Sequence, residues 1–412
     1  MSDYFDERDL QEPAAREKAL FARLPALIAR VKAGGAGWAT HLAEIDPAAI
    51  TDRAALASLP VLRKSVLQAA QKANPPFGGF AIGEPKDFGR VFMSPGPIWE
   101  PQGLGIDPWR GARALFAAGL RPGDMVHNAF AYHMTPGGFI LDESARALGC
   151  AVFPAGIGNT EMQVEAMASL KPVAYVGTPD FLKVILEKAD EMGVTLDSLK
   201  KALVSGGALF PSMRAAYQAR GIATAQCYAT ADLGIIAYES LGSEGMLINE
   251  DFIVEIVRPG TNDPVADGEV GELVVTAFSD VYPLIRFGTG DLTAILPEPS
   301  PCGRTASRIN GWMGRADQRT KVKGMFIDPT QLDELVKRFD AILKVRLDVE
   351  RADDQDAMML RVEVGDKAAV DVTAVSEALR DITKIRGSVE LVAVGSLPND
   401  GMVIADKRDY SA

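Results

Sequence analysis

The sequence predicts an α/β protein of at least two domains. Its 412 residues exceed what one hydrophobic core usually supports, and 47% of them are apolar, which is ample to bury. Between residues 124 and about 256, short apolar runs alternate with helical windows, a pattern typical of βαβ units around a parallel sheet. After Asp251 the pattern changes to period-two strands with turn signals, which indicates an antiparallel region.

Helices open the chain and strands follow. Apolar residues recur at helical spacing over residues 13–33, and a second helical stretch lies near 52–58. Residues 74–89 are rich in Gly and Pro and predict a surface loop. The strands of the parallel sheet (MVHNAFAY, CAVFPAG, VAYVG and KALVSGG) mostly run into small residues. Ligands of open α/β sheets gather at the carboxyl ends of strands, so we expect the binding crevice there.

The last hundred residues predict a separate small domain. A Pro-rich connection at 296–306 leads to a segment, beginning at Gly314, of strand, helix (329–339), strand, helix (370–385) and strand. We therefore place a domain boundary near Asp317, with domains at 1–316 and 317–412.

Charge and cysteine usage exclude several classes of partner and site. A net charge of −12 argues against nucleic-acid partners, because phosphate backbones demand clustered Lys and Arg. The three cysteines lie far apart without ligand spacing, which indicates neither a disulfide framework nor a zinc site. The acidic N-terminus does not read as a signal peptide, and no apolar run approaches the roughly 20 residues of a membrane span. A cytoplasmic protein without a membrane partner is expected.

Several motifs together resemble the phenylacetate-CoA ligases of the adenylate-forming superfamily. The strongest is the string over residues 285–335, which includes IRFGTGD, GRAD and KVKG. Further segments agree in order and spacing: LPVLRK at 59–64, AYHMTPGG at 131–138, SGGA at 205–208, CYATAD at 227–232 and GEVGE at 268–272.

The resemblance implies both a fold and a reaction. The fold is a large N-terminal domain of stacked α/β subdomains plus a β-barrel-like element, with a small mobile α+β C-terminal domain. In the reaction, ATP and an acid form an acyl-adenylate, and CoA then displaces AMP; a homodimer is also implied. Two functions stay open: an acid-CoA ligase for an aromatic or other small carboxylic acid, or a degenerate homologue. The latter would bind nucleotide or acyl-CoA without adenylating, as a binding protein or another acyl-transfer catalyst.

The resemblance also assigns a nucleotide site. Asp291 would hold the ribose, since a carboxylate accepts from two neighbouring hydroxyls, and Tyr228 would stack on adenine. The alternatives are an Asp that satisfies a turn and a Tyr in core packing. The remaining predicted cofactor-binding residues are Ser205, Gly206, Gly207, Ala208, Ala229, Thr230, Arg315, Lys323 and Gly324.

Three catalytic candidates and one metal ligand complete the predicted site. Arg286 would orient Asp291 or meet a phosphate, and His133 would line the acid-binding tunnel. Asp232 stands where the family has a glutamate that helps to hold Mg²⁺, and it reaches about one methylene less. Lys407 is the third catalytic candidate. For each of these side chains, an ordinary structural or surface role is the competing interpretation.

The sequence departs from the family pattern at two places that handle phosphate. The family's phosphate loop, SSGTTGKP, aligns with SPGPIWEP at 94–101, where Pro95 and Pro97 remove N–H donors and Glu100 replaces the lysine. A carboxylate there is expected to repel a triphosphate by a few kcal/mol at an effective dielectric of about 20. Near the C-terminus Met402 stands in place of the family's lysine, and Lys407 substitutes only if the terminal loop is rearranged. Both departures predict impaired pyrophosphate chemistry.

Overall fold

The computed structural model describes residues 3–259, 261–316, 318–352, 355–398 and 402–408. The chain divides into two compact units, Met1–Trp312 and Met313–Ala412. Asp317, at which the sequence places a domain boundary, lies outside the described residues. None of the described helices combines the length and the apolar character that a bilayer span requires.

Helices of the first unit begin with the predicted N-terminal one. Proline stands at the first position of helix α1, and the Glu12 side chain accepts from the Ala15 amide, which satisfies one free donor of the first turn. One face of α1 is buried and joins the largest core cluster. The helices are α1 (Pro13–Gly34), α2 (Ala36–His41), α3 (Arg53–Ala57), α4 (Lys64–Ala73), α5 (Ala112–Ala117), α6 (Gly137–Ala147), α7 (Thr160–Leu170), α8 (Pro179–Glu191) and α9 (Pro211–Ala219).

Strands of the first unit form two large sheets and a hairpin. They are β1 (Leu62–Arg63), β2 (Phe88–Ser94), β3 (Ile98–Gly103), β4 (Met125–Asn128), β5 (Ala151–Pro154), β6 (Ala174–Gly177), β7 (Lys201–Val204), β8 (Ala223–Thr230), β9 (Gly234–Tyr238), β10 (Met246–Ile248), β11 (Phe252–Val257), β12 (Gly271–Ala277), β13 (Leu284–Thr293), β14 (Ile295–Leu296) and β15 (Arg308–Ile309).

The larger sheet confirms the predicted parallel core. Its order is β14-β15-β10-β9-β8-β7-β6-β4-β5, and β5, β4, β6, β7 and β8 pair in parallel. The helices between these strands provide the crossovers that parallel pairing requires. Because β7 and β8 are parallel, their carboxyl ends lie at the same edge of the sheet; Val204 pairs with Gln226, and β8 continues to Thr230.

The second sheet corrects the expected barrel-like element. Its order is β1-β13-β12-β11, with β11, β12 and β13 antiparallel as the period-two pattern predicts. Within the described residues the edge strands β1 and β11 do not pair with each other, so the sheet is open. Closure would need hydrogen bonds between those edges, and β1 has only the two residues Leu62 and Arg63.

The altered phosphate-loop segment lies in the antiparallel hairpin of β2 and β3. Ser94 pairs with Ile98, and Phe92 pairs with Glu100. Pro95, Gly96 and Pro97 make the turn. The residues that replace the family's glycines and lysine are therefore divided between a tight turn and strand β3.

The second unit has its own core and the predicted mixture of helices and strands. Helices α10 and α11 confirm the two predicted ones and end a few residues earlier. The sheet order is β20-β19-β18-β21, and β16 pairs with β17. The elements are β16 (Thr320–Val322), β17 (Met325–Ile327), α10 (Pro329–Val336), β18 (Ile342–Ala352), β19 (Gln355–Val364), α11 (Val372–Thr383), β20 (Ser388–Val392) and β21 (Ile404–Asp406).

A buried arginine fastens the N-terminal segment to the first unit. Arg113, in α5, is ion-paired with Asp6 at 2.7 Å, with Glu250 at 2.9 Å and with Asp9. Arg113, Asp9 and Glu250 are all buried. Such a cluster is stable only while the buried carboxylates keep a cation, because an unpaired buried charge is costly.

Replacing Arg113 by alanine is expected to lower the free energy of unfolding by about 3–5 kcal/mol, because Glu250 loses its ion pair inside the core. Urea denaturation measures the change. The matched control is Arg220→Ala on the surface, where the pair with Asp190 is solvent-exposed and its loss should leave stability nearly unchanged. Equal effects of the two substitutions would contradict the role given to Arg113.

Candidate functional site

The predicted ribose-binding aspartate and the predicted adenine-stacking tyrosine lie together. Asp291, near the end of β13, accepts from the Tyr228 hydroxyl at 2.6 Å and from the Trp312 indole N–H at 3.0 Å. Its own amide donates to Thr289 Oγ1 at 3.1 Å. Both Tyr228 and Asp291 are half-buried, so solvent reaches them. A carboxylate has about four lone-pair positions, and Asp291 can therefore accept further hydrogen bonds from a ligand.

The SGGA segment, residues 205–208, follows β7, and Tyr228 lies in the neighbouring strand β8. Ser205 Oγ donates to the carbonyl of Cys227 at 2.7 Å, and Gly206 adopts a φ of 72°. A left-handed backbone of this kind suits glycine, and it turns the chain away from the strand. The side chain of Ser205 thus ties the segment 205–208, with Gly207 and Ala208, to the strand that carries Tyr228.

Ala229 and Thr230 end strand β8. Ala229 pairs with Ile235, and the Thr230 hydroxyl accepts from the amide of Leu233 at 3.2 Å. The Thr230 side chain therefore supports the turn into β9. Its position at the carboxyl edge agrees with the sequence prediction, while its hydroxyl has a structural partner.

Asp232, the expected metal ligand, is engaged in an internal ion pair. Its carboxylate is buried, and Oδ2 accepts from Lys64 Nζ at 2.9 Å. Among the described residues, no group of three or more His, Cys, Asp or Glu side chains is placed to hold a metal ion. Lys64 comes from α4 and was noted in the sequence only as part of LPVLRK. The ammonium of Lys64 is thus the partner of the carboxylate that the resemblance assigns to Mg²⁺.

Glu100, which replaces the phosphate-loop lysine, lies in strand β3 of the hairpin. Its side chain is 1% exposed, and Oε1 accepts from Ser94 Oγ at 2.7 Å. Burial, together with the charge of Asp232, raises the pKa of Glu100 well above its ordinary value. The raised pKa favours the neutral acid, which weakens the expected repulsion of a triphosphate by a free carboxylate at this position.

Arg286 is placed differently from either expected role. It is fully buried, and its Nε donates to Glu255 at 3.0 Å, not to Asp291. Its terminal nitrogens donate to the main-chain carbonyls of Ala57, Leu59 and Asn262. The guanidinium braces β13 against the N-terminal segment and β11. This is a correction: with its donors directed at protein groups inside the core, Arg286 is a structural cation.

His133 lies in the loop that precedes α6 and is exposed. The amide of Met93 donates to the carbonyl of Met134 at 2.9 Å, which sets this loop beside the end of β2. The hydroxyl of the neighbouring Tyr132 donates to Asp142 at 2.9 Å, which fixes the position of the tyrosine side chain. His133 therefore stands next to the altered hairpin, where solvent and small molecules reach it.

Three predicted residues lie in the N-terminal part of the second unit. Lys323 and Gly324 make the turn between β16 and β17, and both have positive φ, 47° and 83°. The Lys323 amide donates to Asp356 at 3.1 Å, while its side chain is exposed. Arg315 precedes β16 and is half-buried.

Lys407, the predicted replacement for the family's lysine, is ion-paired within the second unit. Its Nζ lies 2.7 Å from Oδ2 of Asp348, a buried carboxylate that also lies 3.0 Å from Arg361. The Lys407 side chain is 41% exposed, so it stands at the edge of this cluster and is available to solvent. Met402 is likewise exposed.

Comparison with known proteins settles the family. No protein-family model matches the chain. The chain is 32% identical over 342 residues to a phenylacetate-coenzyme A ligase of Aromatoleum evansii, covering 79% of this chain and 76% of that protein. It is 30% identical over 340 residues to one of Thermus thermophilus, with 79% and 75% covered. The chain belongs to the phenylacetate-CoA ligase family. The resemblance found in the motifs is thereby confirmed.

Solved structures agree with this membership. A 2-hydroxyisobutyryl-CoA ligase in complex with 2-HIB-AMP and CoA is 26% identical, with a TM-score of 0.82, covering 99% of this chain and 93% of that one. The amide bond synthetase McbA of Marinactinospora thermotolerans is 17% identical, with a TM-score of 0.54 and coverages of 84% and 77%, and it supports the fold alone.

Two residues of this family member escaped sequence reasoning. Trp312 contributes an indole donor to Asp291, although it stands 21 positions later in the sequence. Lys64 contributes the ammonium that pairs with Asp232, 168 positions later. The only sequence signal for Trp312 and Lys64 was that each lies in a segment that resembles the family. Hydrogen bonds between residues so far apart in sequence depend on how the strands assemble.

Glu100 generates a pH-dependence of stability. The pKa of Glu100 is higher in the folded protein than the ordinary 4.5, so its contribution to the free energy of unfolding is complete below pH 4.5. That contribution is lost as the pH rises through the raised pKa. Glu100→Gln, which stays neutral, is expected to flatten the decline in the free energy of unfolding above pH 5. Urea denaturation across pH 4.5–9 measures the slope. Glu44→Gln, at an exposed position, is the control and should leave the slope unchanged.

Proposed function

We propose that the chain is an AMP-forming acid-CoA ligase for a small carboxylic acid, aromatic or aliphatic. ATP and the acid would give an acyl-adenylate and pyrophosphate, and CoA would then give the acyl-CoA thioester and AMP. The observation that carries the proposal is the cluster of Asp291, Tyr228 and Trp312 at the carboxyl edge of the sheet. It unites an acceptor for ribose hydroxyls with an aromatic face for adenine.

The relatives favour the same chemistry. The proteins that share about 30% identity with the chain are named phenylacetate-coenzyme A ligases. The 2-hydroxyisobutyryl-CoA ligase structure holds an acyl-adenylate and CoA, and its similarity to this chain covers 99% of this chain and 93% of that one. These relatives support ATP, AMP and CoA as the ligands of this chain.

The raised pKa of Glu100 supports this reaction, because it favours the neutral form, which does not repel the nucleotide. Lys64 compensates the charge of Asp232 close to the hairpin. Mg²⁺ would arrive with ATP, and Asp232 is the residue that would bind it once Lys64 Nζ moves away. His133 would face the acid, and Lys323 would meet CoA phosphates. We also propose a cytoplasmic homodimer, for which the free cysteines and the family resemblance are the support.

The decisive assay is pyrophosphate release with ATP·Mg²⁺, CoA and a panel of aryl and alkyl acids. Acid-dependent release with formation of acyl-CoA is expected. Asp291→Ala should lower kcat/KM by roughly 100-fold, because two charge-assisted hydrogen bonds to the ribose are lost. Asp197→Ala, at an exposed position, is the matched control. Binding of AMP or CoA without any pyrophosphate release would instead establish the degenerate homologue.

Met402→Lys tests the missing C-terminal lysine. A lysine at this position is expected to raise the rate of pyrophosphate release by roughly 10-fold or more, because it adds positive charge where negative charge develops in the transition state. Met402→Ala controls for loss of the methionine. If Lys407 already fulfils this role, Lys407→Ala will abolish release and Met402→Lys will leave the wild-type rate unchanged, which would contradict the expected gain.

A further inference from the structure

The side chain of Trp312 lies against the carboxylate that we assign to the ribose. Its indole Nε1 donates to Asp291 Oδ1 at 3.0 Å, while the Tyr228 hydroxyl donates to Asp291 Oδ2 at 2.6 Å. All three residues belong to the first unit, and all three are half-buried. Each oxygen of the carboxylate therefore receives a donor from a different part of the chain.

Backbone pairing brings Trp312 to the end of β13. Strands β14 and β15 pair in antiparallel, and the amide of Asn310 extends this pairing by donating to the carbonyl of Ala294 at 3.0 Å. Strand β13 ends at Thr293, one residue before Ala294, and Trp312 stands two residues after Asn310. The contact between Trp312 and Asp291 is therefore built into the fold of the first unit.

The main chain of Asp291 is fixed independently of its side chain. The Asp291 amide donates to Oγ1 of Thr289 at 3.1 Å, and Thr289 is fully buried. Gly290 has a φ of 75°, and the pairing of β13 with β12 is irregular here, a feature that redirects a side chain. The aspartate side chain then has two rotatable bonds, of which the second is soft. Donors on its two oxygens, from Trp312 and Tyr228, set the orientation of the carboxylate plane.

That orientation matters for a ligand with two neighbouring hydroxyls. An indole N–H only donates, and hydrogen bonds to an ionised carboxylate are shorter and about twice as strong as neutral ones. The two donors use one lone-pair position on each oxygen, out of about four on a carboxylate. A ribose needs one acceptor position on each oxygen at the same time, so a carboxylate that rotates would lose the match.

We propose that Trp312 is a positioning residue for the nucleotide. Its N–H, with the Tyr228 hydroxyl on the other oxygen, holds Asp291 toward two ribose hydroxyls and makes the site prefer a ribonucleotide over a nucleotide that lacks them. The inference rests on the nucleotide site of the proposed function and adds a residue to it. Tyr228 keeps the stacking role assigned above, because its ring face and its hydroxyl are different parts of the side chain.

Isothermal titration of the full chain with AMP and with 2′,3′-dideoxy-AMP tests the proposal, with competition against AMP for the weaker ligand. The wild type should prefer AMP by roughly 100-fold, because a site built to bond hydroxyls rejects an analogue without them. Trp312→Phe keeps an aromatic ring and removes the N–H. It should weaken AMP binding by roughly 10-fold and leave dideoxy-AMP binding unchanged, so the preference falls by the same factor.

Two further variants make the titration specific. Trp38→Phe is the matched control, because Trp38, in α2, also donates one indole N–H, to the carbonyl of Phe80 at 3.0 Å. It should change neither affinity. Tyr228→Phe removes the donor on the second oxygen and should lower the preference for AMP in the same way. It is the deciding variant should Trp312→Phe fail to fold.

Several results would overturn the positioning role. Equal weakening of both nucleotides by Trp312→Phe would reduce Trp312 to packing, and tighter AMP binding would show that the indole competes with the ribose. An unchanged preference, or no AMP binding by the wild type, would overturn it as well. The ligase function is judged separately by pyrophosphate release. A preference for AMP that depends on Trp312, in a protein that releases no pyrophosphate, would refute the ligase and leave this role standing.

Discussion

One ammonium group beside two buried carboxyl groups constrains this site. Lys64 reaches from α4 to Asp232, and the charge of Asp232 helps to raise the pKa of Glu100 in the β2–β3 hairpin. Two ionised carboxylates against one cation would leave net charge in the core, which is strongly unfavourable. Retaining one proton avoids that cost. Three separate parts of the chain, α4, β3 and the loop after β8, are thereby held in one arrangement.

The arrangement changes what the altered phosphate loop means. In sequence, replacement of a lysine by glutamate reverses a charge at a phosphate-binding position. In the structure the new side chain is buried and accepts from Ser94, and its raised pKa favours the neutral form. The loop therefore loses a cation, while the replacing acid is favoured in its neutral form. Lys64 and Asp232 form an ion pair beside the hairpin, and their charges cancel.

Arg286 and Asp291 show how neighbours in a motif separate in space. Both stand in RFGTGD on β13, and the sequence treats them as one functional unit. Their side chains lie in different environments. Arg286 is fully buried against Glu255, whereas Asp291 is half-buried and contacts Tyr228 and Trp312. The pairing of β13 with β12 is irregular between Gly288 and Leu292, so a motif read in one dimension does not show which of its side chains meets the ligand.

The sequence by itself determined the α/β class, the parallel strands, most helices, the family and the grouping of Asp291 with Tyr228. These follow from hydrophobic periodicity and motif order, which are local along the chain. Tertiary structure alone decided that the antiparallel sheet stays open, that the pKa of Glu100 is raised, and that Lys64 neutralises Asp232. Protonation and charge pairing depend on burial and on partners far apart in sequence, which only the folded chain brings within a few ångströms.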